Sequence, residues 1–182
     1  MNQLTLAERI VQVDGSLSGI PHAFGGALAL AYYAEPRATA DIDLNVFVPT
    51  TEYVHIAARL CALGIAADTP RLFELVDRDG QVRVMWDEVP IDIFLSYDAF
   101  HDAASLGRRT VPFAGQEIDV LSPEHLMVCK VVFNRAKDWV DLDAMLAAGT
   151  VVDAAEVLRW VARMTGDEDS RYSRVVALLT RR

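Results

Sequence analysis

The chain has 182 residues, of which 52% are hydrophobic and 24% charged, a composition that suits one globular domain or one domain with a small appended lobe. The net charge of -9 argues against a strong, non-specific nucleic-acid binder, and the two cysteines, Cys61 and Cys129, form no CxxC pair. No apolar run approaches the roughly 18 residues of a membrane span, and the N-terminal stretch has no apolar core of signal-peptide length, so a reducing cytoplasm is the expected location.

In chain order, residues 4–13 (LTLAERIVQV) read as an amphipathic helix with Leu4, Leu6, Ile10 and Val11 on one side. Gly25 and Gly26 precede a helix of about two turns that Pro36 stops. Residues 41–48 (DIDLNVFV) alternate strictly, which predicts a strand with Ile42, Leu44, Val46 and Val48 on one face. Asp41, Asp43, Asn45 and Phe47 take the other. Residues 50–64 predict a helix capped by Thr50 or Thr51 and stopped by Gly64.

Residues 71–76 (RLFELV) and 81–86 (QVRVMW) flank Asp77-Arg78-Asp79-Gly80 and predict a hairpin. After a second turn at Asp87-Glu88, residues 89–96 (VPIDIFLS) predict a strand with Asp92, Phe94 and Ser96 opposite Ile91, Ile93 and Leu95. A short helix over 97–107 and a hairpin around Ala114-Gly115 follow. From Ser122, an N-cap followed by Pro123, the pattern is all helix: one long helix to about residue 149, then two more near 153–164 and 167–180. The expected class is α+β, with a mixed-sheet core with flanking helices over residues 1–121 and a helical lobe over 122–182.

Charge is uneven. Residues 1–107 hold 6 basic and 15 acidic residues, the whole of the -9, while residues 108–182 balance 11 against 11. Fifteen of the 17 basic residues are arginines, which directs attention to the two lysines, Lys130 and Lys137.

Strand residues at i and i+2 share a face, so Asp41 and Asp43 aim two carboxylates at one region, about 7 Å apart along the strand. Such a pair stays ionised only if cations or donors compensate it, and hard oxygen ligands suit Mg²⁺ bound together with substrate phosphates. Asp92 supplies a third carboxylate from a strand of the same alternation. Gly25-Gly26 ahead of a helix is a backbone that approaches phosphate closely. Arg37 and Thr39 lie just before the aspartates, placed either to assist the phosphates or to cap the loop. A lone D-x-D is a weak signal. The combination of glycines, D-h-D on the next strand and h-D-h on a later one is the set of parts for phosphoryl or nucleotidyl transfer, with Asp92 near the attacking oxygen.

The stretch GGALALAYYAEPRATADIDLNV resembles the signature of the polymerase-β-like nucleotidyltransferase superfamily, and its R-x-T-x-D-I-D form is similar to the AbiEii/MenT-type toxin nucleotidyltransferases. IDIF resembles the superfamily's third-carboxylate strand, and LSPEHLMVCKVVFNRAKDWVDLDAML resembles the helical motif of the toxins. The resemblance covers roughly residues 20–148. It implies that Gly25 and Gly26 hold the triphosphate, that Asp41, Asp43 and Asp92 serve catalysis and bind Mg²⁺, and that Lys130 contacts phosphate. It implies further that Asp138 or Asp141 is the acid of the last motif. Where many relatives read G-S, this chain reads GG-A.

The expected function is thus Mg²⁺-dependent transfer of a nucleoside monophosphate from an NTP to a hydroxyl acceptor. For a toxin of a toxin–antitoxin system the acceptor is RNA, at the tRNA 3′ end, and a cognate antitoxin is a partner. The alternatives are a small-molecule acceptor such as an aminoglycoside, and a non-catalytic nucleotide-binding or antitoxin-like module. Arg159, Arg163, Arg171 and Arg174 either touch RNA phosphates or pair with nearby acids. Among the histidines only His22, beside the glycines, is a candidate for the site. Trp86, Trp139 and Trp160 are expected in the core or at its rim.

Overall fold

A computed structural model describes residues 4–181. Its centre is a six-stranded mixed sheet with the order β3-β4-β2-β1-β6-β5. The strands are β1 (His22–Phe24), β2 (Ile42–Pro49), β3 (Gln81–Trp86), β4 (Val89–Ser96), β5 (Arg109–Phe113) and β6 (Gln116–Val120). β2 runs parallel to β4 and antiparallel to β1, and β1 runs parallel to β6.

The alternation of β2 is realised for Ile42, Leu44 and Val46 and lapses beyond them, where Val48 is only half-buried and the register with β4 shifts. Ile42, Leu44 and Val46 are buried to 2% exposure or less, and so are Ile91, Ile93 and Leu95 of β4, which lie beside them in register. α1 (Leu6–Ser16) starts from a capping box in which Thr5 and Glu8 satisfy each other's backbone N–H groups. α3 (Tyr53–Cys61) enters through a 3-10 turn at Thr50–Glu52 rather than a threonine cap, and its N-cap position is Glu52.

The structure departs from the sequence reading at three further points. Residues 71–76 are not a strand: they lie in α4 (Pro70–Asp79), with Pro70 in its first turn and Gly80 as a left-handed C-cap at φ 66°. Leu72, Phe73, Leu75 and Val76 follow i, i+1, i+3, i+4 spacing, a helical stripe that a six-residue window mistakes for strand, and Phe73 packs edge-on against Tyr53 at 5.2 Å. The hairpin at this point is β3–β4, turning at Asp87-Glu88. Second, β1 is a strand of only three residues, too short for periodicity to reveal, and it forms the sheet's interior between β2 and β6.

Third, the long helix after Ser122 is two. α6 (Pro123–Phe133) ends at Asn134 in the left-handed conformation, φ 56°, and α7 (Ala136–Ala147) begins after Arg135. α8 (Ala154–Thr165) and α9 (Ser170–Leu179) follow, capped by Asp153 and Asp169. α5 (Ala99–Gly107) and the β5–β6 hairpin stand where the sequence places them. α6 is buried nearly all round, with Leu126, Met127, Val128 and Val131 at 1% exposure or less, because α2, α7, α8 and α9 pack against it. Trp86, Trp139 and Trp160 are all buried, as expected. Among the described residues no helix is long and apolar enough to cross a membrane.

Candidate active site

The sheet face opposite the core carries the acids. Asp43 on β2 and Asp92 on β4 are register partners, and Asp41 lies one residue before β2 on the same side. The turn between β1 and α2 (Gly26–Leu30) is pressed onto Asp43. The Gly25 N–H donates to the Asp43 carbonyl at 2.8 Å. A β-carbon on Gly26, whose φ is 52°, would lie 1.7 Å from Asp43 Oδ2, and one on Gly25 would lie 2.9 Å from Asn45 Nδ2. Gly26 is therefore required by close approach to the carboxylate, and Gly25 is crowded by the Asn45 amide, independently of any dipole from a helix of five residues.

Burial pushes the Asp43 carboxyl up to about 6, and the negative charges of Asp41 and Asp92 add to it, against the opposing charges of Lys130 and Arg135. Asp41 goes the other way. Its partial burial raises it, but the Thr39 hydroxyl, its own backbone and the charges of Lys137 and Arg83 outweigh that and hold it below the usual carboxylate range. Thr39 thus caps the Asp41 carboxylate with a hydrogen bond.

The remaining charges are interlocked. Lys130, 4% exposed on α6, donates from Nζ to Asp141 Oδ2 at 2.6 Å. Arg37 reaches the same carboxylate with Nε and Nη2, each at 3.0 Å. The burial of Asp141 raises its pKa, but those two cations overcome this and lower it. Asp138, fully buried, receives the Arg135 backbone N–H at 3.0 Å and its guanidinium at 2.8 and 3.0 Å, so it caps the start of α7. Arg83, opposite Asp92 across the β3–β4 pair, holds it with two bonds of 2.6 Å.

Lys130, Asn134, Lys137 and Asp141, spaced i, i+4, i+7, i+11, would form one polar stripe on an unbroken helix, but the break at Asn134 cuts it. Lys130 and Asp141 still meet, because the turn folds α7 back toward α6 and Trp139 Nε1 donates to Asn134 Oδ1 at 2.7 Å to fix it. Gly25, Gly26, Asp43, Lys130, Arg135 and Asp138 border one cavity, and Asp92 and Arg83 border an adjoining one that also touches Asp43. Asp41, Arg37 and Thr39 border neither of these two cavities: Asp41 is held by Thr39 and feels the charge of Lys137, and Arg37 lies on Asp141. Among the described residues no three His, Cys, Asp or Glu side chains already converge as a metal cluster.

His22 is not part of the site: it faces Ile20 and Asp14, with Nδ1 2.7 Å from the Ile20 carbonyl and Nε2 3.2 Å from Asp14 Oδ1. The four arginines considered for RNA phosphates all have partners within the chain. Arg159 meets Glu156, Arg163 meets Asp98, Arg171 meets Asp169, and the Arg174 guanidinium lies 3.8 Å from the Trp139 ring centroid. Sequence reasoning overlooked Arg83, Arg135 and Asn45. For Arg83 the signal was present: a two-residue turn at Asp87-Glu88 sets position 83 opposite position 92.

A model of the family described as "Nucleotidyl transferase AbiEii toxin, Type IV TA system" matches residues 14–180. No curated protein matches the sequence. Among solved structures, the crystal structure of ANT(2″)-Ia in complex with adenylyl-2″-tobramycin superimposes with a TM-score of 0.63 at 16% identity, over 91% of this chain and 100% of that one. The solution structure of the same antibiotic-resistance factor gives 0.60 at 18% identity, over 93% and 92%. An antigenic nucleotidyltransferase-like protein from Paracoccidioides brasiliensis gives 0.52 at 17% identity, over 94% and 85%. At such identities the likeness is one of fold, and it bears out the nucleotidyltransferase-type mixed sheet with flanking helices.

Proposed function

The chain belongs to the AbiEii nucleotidyl transferase family, and we propose that it acts as the toxin of a toxin–antitoxin pair, moving a nucleoside monophosphate from an NTP to a hydroxyl of RNA at the tRNA 3′ end. The observation that carries the transfer chemistry is the contact of Gly26 with Asp43: a backbone free of any β-carbon is laid directly over a carboxylate whose charge its neighbours oppose. Such an arrangement suits a phosphate drawn down to carboxylate-bound Mg²⁺.

The donor set fits that ion. Asp41 and Asp43 offer hard oxygens from the start of one strand, Asp92 lies in register beside Asp43, and the Asp43 carboxyl, raised by burial and then by its acidic neighbours, is one that a cation would return to its ionised form. When bound by these residues, Mg²⁺ supplies charge neutralisation on the phosphates and lowers the barrier to displacement at phosphorus.

The chain's own groups do the rest. The acceptor oxygen attacks the α-phosphorus, the bond from the α-phosphorus to its bridging oxygen breaks, and pyrophosphate leaves. The proton of the acceptor hydroxyl passes to a carboxylate oxygen of Asp92, which Arg83 holds in place. Lys130 spends one donor on Asp141 and keeps two for the leaving phosphates. Arg37, paired with Asp141, adds a second positive charge beside Lys130. Asp141 fixes both cations, and Asp138 fixes the start of the helix that carries it.

A small-molecule acceptor is the second reading, and two observations favour it. Arg159, Arg163, Arg171 and Arg174 are engaged with residues of the chain itself, and the first 107 residues carry the whole negative charge, which suits a cationic acceptor. The deciding experiment offers the protein Mg²⁺ and α-phosphate-labelled NTPs with total tRNA, with tobramycin, or with both. Label on tRNA is expected. Label on tobramycin alone would overturn the RNA reading and leave the transferase chemistry standing.

A further inference from the structure

The cavity beside Asp43 continues into a half that the phosphate chemistry leaves unused. Within one enclosure its wall changes from Lys130, Arg135 and Asp138 to Phe94, Tyr97, Phe100, Phe133 and Met164. Two of these rings are open to solvent, Tyr97 at 66% exposure and Phe133 at 44%. Exposed aromatic surface gathered at a cleft marks a ligand surface more often than a fault in packing.

Neither ring is loose. The Tyr97 ring rests on Gly80, where a β-carbon would lie 2.5 Å from Cδ1, and its neighbour is the His101 imidazole with centroids 4.6 Å apart. Phe133 is met by the ring of Phe94 at 5.8 Å and by the Arg135 guanidinium 4.9 Å from its centroid. Each ring is supported by its own neighbours and still open to water. Few hydrogen-bonding groups share this wall: Gln81, Asn45 and His101.

Resting on the nucleotidyl-transfer reading, we propose that this half of the cleft binds the planar base of the donor nucleotide by stacking, with Tyr97 and Phe133 providing the faces and Gln81 the contact to the base edge. A cavity that is cationic at one end and aromatic at the other matches a nucleoside triphosphate end to end. The terminal base of an RNA acceptor has the same chemistry. The donor is assigned because the aromatic wall shares its cavity with Gly25, Gly26 and Asp43.

The test measures the affinities of the full chain, with Mg²⁺, for ATP, CTP, GTP and UTP and for inorganic tripolyphosphate, in the wild type and in Tyr97→Ala, Phe133→Ala and Tyr97→Phe. Both rings are exposed, and circular dichroism verifies that the variants are folded. The wild type is expected to bind its preferred NTP about tenfold or more tighter than tripolyphosphate, each alanine variant to lose about five- to tenfold for the NTP, and Tyr97→Phe to keep wild-type affinity. Tripolyphosphate affinity stays unchanged throughout. NTP affinity unchanged in both alanine variants would overturn the assignment, and a raised KM for the RNA acceptor in them would give the surface to the acceptor base instead. A wild type that binds neither NTP nor tripolyphosphate would sink the transferase reading itself, and the base subsite with it.

Discussion

A β-carbon at Gly26 would lie 1.7 Å from Asp43 Oδ2, closer than any two unbonded heavy atoms can stand. The carboxylate and the glycine therefore define each other's position, and the site cannot keep one without the other. Gly26→Ala must push Asp43 aside and also hold alanine at φ 52°, which alone costs about 1–2 kcal/mol. The expected result is loss of transfer activity by about 100-fold or more. Gly25→Ala, whose β-carbon meets the Asn45 amide at 2.9 Å, is expected to lose less, because a side-chain amide can give way. Turnover of the two variants side by side checks the order.

The raised Asp43 carboxyl makes a pH prediction with a definite sign. A folded pKa of about 6 against an ordinary 3.8 means that ionisation costs stability: the cost is absent below about pH 4, grows as pH rises, and is complete above pH 6. Asp43→Asn removes it. The variant should be more stable than wild type by up to about 3 kcal/mol at pH 8, a margin that disappears near pH 4, while its activity is lost. Urea unfolding at both pH values measures the margin. Added Mg²⁺ should raise the wild-type Tm at pH 8 and leave the variant's unchanged.

Asp141 is the anchor for two cations, so its removal should cost more than the removal of either. Asp141→Ala leaves Lys130, 4% exposed, without its partner, and a loss of about 3–5 kcal/mol is expected. Lys130→Ala leaves Asp141 still paired with Arg37 and should cost less stability, yet it should cost turnover. Chemical denaturation of the two variants together with the double variant separates pair from partner.

The turn at Asn134 is predicted to matter out of proportion to its exposure. Its left-handed backbone ends α6, and its amide oxygen takes the Trp139 N–H. Asn134→Gly keeps the backbone and loses the hydrogen bond, at about 1 kcal/mol; Asn134→Ala loses both, at about 2–3 kcal/mol. Thermal unfolding of the two should rank them in that order.

How far these features were legible depends on what each one rests on. β2 and β4 were readable because strict alternation is the imprint of one buried and one open face, and that same alternation put Asp41, Asp43 and Asp92 on one side. α4 was misread because four apolar residues in six satisfy two periods at once; Pro70 before them and Gly80 after them were the deciding signals. The break at Asn134 carries no Gly or Pro, and asparagine in the left-handed region looks from sequence like any polar helix residue. Pairings between elements, such as Arg37 with Asp141, depend on packing that no local window contains. Tyr97 and Phe133 were invisible as a site for the same reason: nothing in sequence says that Gly80 will support one ring and Phe94 the other.

The most direct test of nucleotidyl transfer at the Asp41–Asp43 pair follows both ends of the triphosphate. The protein and its Asp41→Asn variant are incubated with Mg²⁺, total tRNA and NTP labelled either at the α- or at the γ-phosphate. The account predicts that wild type places α-label on RNA and releases γ-label as pyrophosphate, and that the variant does neither. Label on RNA from the γ-phosphate, or α-label transferred equally by Asp41→Asn, would contradict it.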